Sequence, residues 1–253
     1  MNFMQFGKEK PKAILLLHGG GLSWWSCREA ASLLEKKGYR VIMPILDGHA
    51  ESDHPFTTIE DNAAEILSFI DERLGGQVLM ICGLSLGGQV LLEMLSQRKD
   101  VCRYALVESA AVLPQKATKA LVGPAFGSSY ALIKSRAFAK MQFKSLRLKP
   151  ELFEEYYRDT CQITKQDFIA IMKANTSYTL KDEVGQTTAE VHVFVGDKEP
   201  GVILQSADEI CRRIPGSTLH SLPGLYHGEF SINHADRYAA AVRGIIEGTE
   251  GAF

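Results

Sequence analysis

Short apolar runs alternate along the chain with longer segments whose apolar residues recur every three to four positions. The runs Ala13–Leu17, Arg40–Pro44, Val78–Gly83, Arg103–Glu108, Val191–Gly196 and Thr218–Leu222 are rich in Val, Ile and Leu and mostly lack polar alternation. Strands buried on both faces have this composition, so the runs predict a mostly parallel sheet. The segments between them predict helices with identifiable ends. Trp24–Lys37 stops at Gly38, a residue able to adopt the left-handed conformation that closes a helix. Ile59–Leu74 begins behind Thr57 and Thr58, with Glu60 and Asp61 each three positions on, and ends at Gly75-Gly76. That start is a capping-box pattern. Helical runs also cover Gln89–Arg98, Ile203–Ile214 ahead of Pro215, and Ser231–Glu247. Strand, helix, strand in this rhythm predicts an α/β fold, a mostly parallel central sheet with helices on both faces.

The rhythm breaks between Gln115 and Gln186, which hold no strand-like run although connections in such units are mostly 2–6 residues. Tyr130, Ile133, Ala137, Phe138 and Met141 share a predicted helical face. So do Leu152, Phe153, Tyr156 and Tyr157 behind Pro150, and Phe168, Ile171 and Met172 behind Thr164. Residues 115–186 are therefore expected to form a helical cap inserted into a core made of 1–114 and 187–253. Connecting helices inside a single core are the alternative.

The chain has 253 residues, room for one large domain or a core with an insertion. Apolar residues make up 45% and charged residues 23%, the balance of a globular protein and not of a disordered one. The net charge of −2 gives no electrostatic reason to expect a nucleic-acid partner. No run of about 18 apolar residues could span a membrane, and the start lacks a signal-peptide layout. Cys27, Cys82, Cys102, Cys161 and Cys211 are scattered, with no C-x-x-C, so neither a disulfide framework nor a zinc knuckle is indicated. A cytoplasmic location is the default expectation; the oligomeric state is not legible.

Two glycine-rich segments carry the candidate chemistry. Gly83-Leu84-Ser85-Leu86-Gly87-Gly88 follows the apolar run VLMIC and opens a helix. A serine is a poor nucleophile unless presented on a sharp turn with a base nearby, and glycines two residues to either side permit such a turn. Ser85 would then sit at a helix N-terminus, whose positive end favours a developing oxyanion. His18-Gly19-Gly20-Gly21 follows AILLL directly, and a glycine loop there can bring a backbone N–H close to a reacting carbonyl oxygen. A dinucleotide site is a poor rival. Trp24 occupies the place of the last fingerprint glycine, and no G-x-x-x-x-G-K-[ST] occurs.

With these motifs the chain resembles the α/β-hydrolase fold family, in particular its small serine esterase and lipase-like members, over everything except the insertion. The resemblance implies that Gly20 and Leu86 supply the two oxyanion N–H donors and that His18 is structural. Gly48-His49-Ala50-Glu51-Ser52-Asp53 is similar to the family's G-H-G-x-S-D loop, with Ala50 in place of a glycine; His49 there is a loop histidine. The family order of serine, acid, histidine places the general base late in the chain. His227, in Leu222-Pro223-Gly224-Leu225-Tyr226-His227-Gly228, fits it, whereas His54, His192, His220 and His234 are badly placed. The acid is expected three residues beyond Gly196, at Glu199, with Asp197 the alternative. Trp24 and Trp25 could wall an acyl pocket or be buried under the first helix.

The resemblance implies a serine hydrolase of a small to medium ester or thioester, working through an acyl-enzyme without metal or organic cofactor. Carbon–carbon bond hydrolysis, acyl transfer and non-catalytic ligand sensing on the same fold are the alternatives.

Overall fold

The computed structural model describes residues 1–114 and 127–249. Seven strands form one sheet: β1 (Phe3–Phe6), β2 (Ala13–Leu17), β3 (Arg40–Pro44), β4 (Val78–Leu84), β5 (Cys102–Glu108), β6 (Glu190–Gly196) and β7 (Thr218–Leu222). Their order is β1-β3-β2-β4-β5-β6-β7, and every pairing is parallel except β1 with β3. The six predicted runs are all strands. β1, FMQF, was not predicted; it has only four residues, is half exposed, and is held at the sheet edge by its register with β3.

The two faces of the sheet separate by residue parity, as a period of two requires. Leu15, Leu17, Ile42, Ile81, Ala105, Val107 and Val193 pack under α2 (Ile59–Leu74), α3 (Leu86–Gln97) and the helix Gly201–Arg213. Ile14, Leu16, Val41, Met43, Met80, Leu106 and Phe194 pack under α1 (Arg28–Glu35) and the helix Ala235–Glu247. Thr58 caps α2 by accepting the Asp61 N–H at 2.9 Å, and Gly75 closes it at φ +77°. Two predicted helices are broken. Trp24–Cys27 is a 3₁₀ turn ahead of α1, and the last segment divides at His234 into Glu229–Asn233 and Ala235–Glu247.

The segment between β5 and β6, the expected insertion, is described from residue 127 and folds as the helices α4 (Gly127–Ile133), α5 (Arg136–Ser145), α6 (Phe153–Gln162) and α7 (Lys165–Ser177). Residues 115–126, the first part of the expected insertion, lie outside the described residues. The single face expected for Tyr130 to Met141 is not formed. The chain breaks at Ser135 and the helical phase resets, so α5 buries Ala139 and Phe143 while Ala137 and Met141 are exposed. Phe143, Phe153 and Tyr156 pack with Leu22, Trp25 and Leu84 in a small cluster between insertion and core. The helix Gly201–Arg213 is α8, Glu229–Asn233 is α9 and Ala235–Glu247 is α10.

Candidate active site

The turn from β4 into α3 holds Ser85 at φ +53° and ψ −111°, a region that costs a non-glycine residue about 1–3 kcal/mol. Its surroundings enforce it. The Ser85 N–H donates to the Glu108 carbonyl at 2.8 Å. A Cβ on Gly83 would stand 2.3 Å from the Gly87 oxygen, and one on Gly87 2.3 Å from the Leu17 oxygen. Both glycines are thus required by backbone approaches.

The imidazole comes from the loop after β7. Three hydrogen bonds join this loop to the one after β6: Asp197 N–H to the Leu222 carbonyl, Lys198 N–H to the Leu225 carbonyl, and Gly224 N–H to Asp197 Oδ1 at 2.8 Å. Gly196 makes the approach possible, since a Cβ there would lie 2.2 Å from the Leu225 oxygen. Within this clamp His227 Nε2 lies 3.0 Å from Ser85 Oγ and Nδ1 lies 2.7 Å from Glu199 Oε2. The partners fix the tautomer: Nδ1–H donates to the carboxylate, and Nε2 is left to accept from the serine hydroxyl. The Glu199 side chain is fully buried and its Oε1 also accepts the Gly196 N–H at 2.9 Å and the Ser109 hydroxyl at 2.7 Å. Asp197 does not reach the imidazole; its carboxylate is spent on the turn.

Gly20 and Leu86 lie side by side, a Cβ on Gly20 being 3.6 Å from Leu86 Cδ2. Among the described residues neither amide is taken by another backbone group. The two loop histidines hold this region. His18, fully buried, donates Nδ1–H to the Gly19 carbonyl and accepts the Leu46 N–H at Nε2, and burial lowers its pKa to about 3. His49 Nε2 accepts the Gly21 N–H at 3.1 Å, with its pKa also lowered by burial. Both are neutral braces of the glycine loop. His192 and His220 bond each other on β6 and β7.

Two residues here were not singled out from the sequence. Ser109, at φ +57°, donates to Glu199; Glu108, beside it, is buried with Oε1 accepting the Ser231 N–H at 3.2 Å and Oε2 without a hydrogen bond among the described residues. Burial pushes the Glu108 carboxyl up to about 7. Their signal was the polar pair Glu-Ser at the carboxyl end of a buried parallel strand, where sites in open α/β sheets lie. Cysteine offers no rival nucleophile among Cys27 and Cys102, whose thiols burial pushes up to about 12. Among the described residues, the side chains that converge closely enough to hold a metal ion are Asp47, His54 and Glu65, and there the Met1 ammonium already pairs with Glu65 at 2.9 Å.

A cavity of about 280 Å³ opens beside Ser85. Gly20, Gly21 and Ser85 line it from the core. Ile133, Gln142, Leu146, Tyr156, Thr160, Ile163, Phe168, Ile171, Met172 and Asn175 line it from the insertion. None of these is charged. Neither tryptophan lines it: Trp25 is buried with its Nε1–H on Asp159 Oδ2 at 2.7 Å, and Trp24 packs beneath Arg28.

The profile of the Alpha/beta hydrolase family matches residues 14–241, and the chain belongs to that family. A thermostable monoacylglycerol lipase of Bacillus sp. (strain H-257) is 29% identical over 114 residues, a match spanning 43% of this chain and 45% of the lipase. The chain thus aligns with less than half the length of that curated relative. Among solved structures, an esterase from Exiguobacterium antarcticum superposes with a TM-score of 0.82 at 20% identity, over 97% of this chain and 94% of the esterase. The enol-lactonase from Burkholderia xenovorans LB400 gives 0.81 at 17% identity, over 97% and 96%. At these identities the superpositions speak for the fold.

Proposed function

We propose that this carboxylesterase-like hydrolase cleaves uncharged carboxylic esters, or thioesters, of small to medium acyl groups through an acyl-enzyme on Ser85. The continuous hydrogen-bonded line from Ser85 through His227 to the buried Glu199, ending in an apolar cavity, carries this reading. Ser85 Oγ attacks the carbonyl carbon while His227 Nε2 takes its proton. The oxyanion that forms is held by the Gly20 and Leu86 N–H groups. His227 returns the proton to the leaving alcohol, the acyl group stays on Ser85, and water activated by the same nitrogen releases it as the acid. Glu199 keeps the imidazole in the required tautomer and stabilises its cation.

The insertion serves in this scheme as a cap that selects the acyl group, since it supplies most of the cavity wall. Among the described residues the wall carries no charge, which disfavours substrates whose acyl part is ionised, because a charge there would lose its hydration without a partner. The monoacylglycerol lipase relative supports an ester of this apolar kind.

A fluorophosphonate probe is expected to add once, at Ser85, and a panel of uncharged p-nitrophenyl esters is expected to be hydrolysed with an optimum at intermediate acyl length. Labelling that persists in Ser85→Ala would overturn the assignment. Equal rates for neutral and carboxylate-bearing acyl groups would remove the argument from the cavity.

A further inference from the structure

Besides Ser85, four described side chains in the cavity wall carry polar groups: Gln142, Tyr156, Thr160 and Asn175. The Tyr156 and Thr160 hydroxyls bond to each other. The Gln142 side chain makes no hydrogen bond among the described residues, so its amide is free to turn. Asn175 differs, because its amide is held in one orientation. The brace is Gln89, fully buried on α3 one turn beyond Ser85. Gln89 Nε2 donates to two backbone carbonyls, of Ala111 at 2.6 Å and of Asn175 at 2.9 Å. The second of these lies in the last turn of α7, where carbonyls lack helical partners. Carbonyls only accept, so Gln89 cannot turn over, and its Oε1 accepts from Asn175 Nδ2 at 3.2 Å. Nδ2 is thereby committed. Asn175 Oδ1 is left as an acceptor with no donor among the described residues.

The same helix sets how far this acceptor lies from the reacting carbonyl. Ile171 Cγ2 comes 3.7 Å from where a Cβ on Gly20 would stand, so α7 abuts the glycine loop there. Asn175 is four residues on and on the same face, about 6 Å farther along the helix axis. We infer that Asn175 Oδ1 receives a hydroxyl on the acyl chain, several carbons from the ester carbonyl, and that the preferred substrates are esters of hydroxylated acids. The inference rests on the acyl-enzyme reading above and names the acyl class within it. A plain alkyl chain lying over this oxygen would strip its water and return no bond, whereas a hydroxyl replaces that water. An ammonium group would meet no counter-charge among the described lining residues, and an ether or ketone has no proton to give.

The test compares kcat/KM of the full chain for methyl esters of ω-hydroxyhexanoic and ω-hydroxyoctanoic acids with those of hexanoic and octanoic acids. At least one hydroxylated ester is expected to be favoured about tenfold over its plain counterpart. Hydroxyethyl hexanoate against ethyl hexanoate moves the hydroxyl to the alcohol, and a ratio within about twofold of one is expected there. Asn175→Leu is expected to lower the hydroxyl preference at least tenfold, and Gln142→Leu to keep it. The wild-type ratios decide the matter even where Asn175→Leu does not fold. Hydrolysis of plain and hydroxylated acyl esters at equal rates would overturn this inference alone. So would a preference seen only for the hydroxylated alcohol, or one that survives Asn175→Leu or vanishes in folded Gln142→Leu. Hydrolysis of none of these esters would overturn the catalytic reading and this inference with it.

Discussion

The sheet core and the helical insertion reach the same cavity by different physics. In the core, positions are fixed by backbone: strand register, three glycines that admit carbonyl oxygens within 2.2 to 2.3 Å of where a Cβ would lie, and loops clamped to each other by main-chain bonds. Ser85, His227 and Glu199 all stand on such ground. The insertion is attached instead by side chains reaching across: Trp25 to Asp159, the Phe56 N–H to Asp167, Gln89 to Asn175, and Asn233 to the backbone of Arg147 and Lys149. A small aromatic cluster adds to these contacts. Reacting atoms tolerate little displacement, whereas a cavity wall can be rebuilt by changing a few contacts. Under the proposed function the rigid part would carry the chemistry and the adjustable part the choice of substrate.

The contrast can be broken most forcibly at the serine. Ser85→Ala is expected to lower kcat by about 10⁴-fold or more with little change in thermal midpoint, measured by ester hydrolysis and calorimetry. Glu199→Gln comes next, with a loss in kcat of up to about 10⁴-fold, since the wrong imidazole tautomer becomes available. Asp197→Asn is the paired control and should keep most of its kcat, losing roughly 1 kcal/mol of stability as the bond to Gly224 weakens.

Glu108 gives a pH-dependent test of the ground beneath the site. Its carboxyl rises from an ordinary 4.5 to about 7 on burial, so across that window the folded protein holds a proton that the unfolded chain has released. Its contribution to stability is therefore greatest below about pH 4.5, falls as pH rises, and levels off above about 7, a change on the order of 3 kcal/mol. Glu108→Gln stays neutral throughout, and its urea midpoint should lack this decline between pH 5 and 7.5. A decline unchanged in the variant would assign it to another group.

The insertion should respond more mildly and in a different observable. Asp159→Asn weakens the acceptor for the buried Trp25 Nε1–H and is expected to cost about 1–3 kcal/mol in thermal or urea unfolding. Its kcat for a short-chain ester should stay within a few-fold, while KM rises more for long than for short acyl groups. A fall in kcat as large as that of Glu199→Gln would show that the insertion also holds the reacting groups, and the contrast would disappear.

The sequence by itself determined the elements whose signals are local. Five buried strands announced themselves as apolar runs, α2 by Thr58 and Gly75 at its ends, and the turn at Ser85 by its flanking glycines, whereas β7, TLHSL, expected to be buried, is an edge strand left mostly exposed. The resemblance to the family placed the acid at Glu199 with Asp197 as the alternative, and in the structure the Glu199 carboxylate lies against His227 while Asp197 turns back to Gly224. Only the tertiary structure decided what depends on contacts between distant residues. β1 exists because β3 offers it an edge, the α5 face is rotated by a break at Ser135, and the final helix divides at His234. Ser109 and Glu108 came under the site through strand order, which sets β5 beside β4 and β6. Periodicity and capping act within a few residues and can be read along the chain. Register, helix phase against a neighbour and the burial of a lone carboxyl are fixed by packing between residues far apart in sequence.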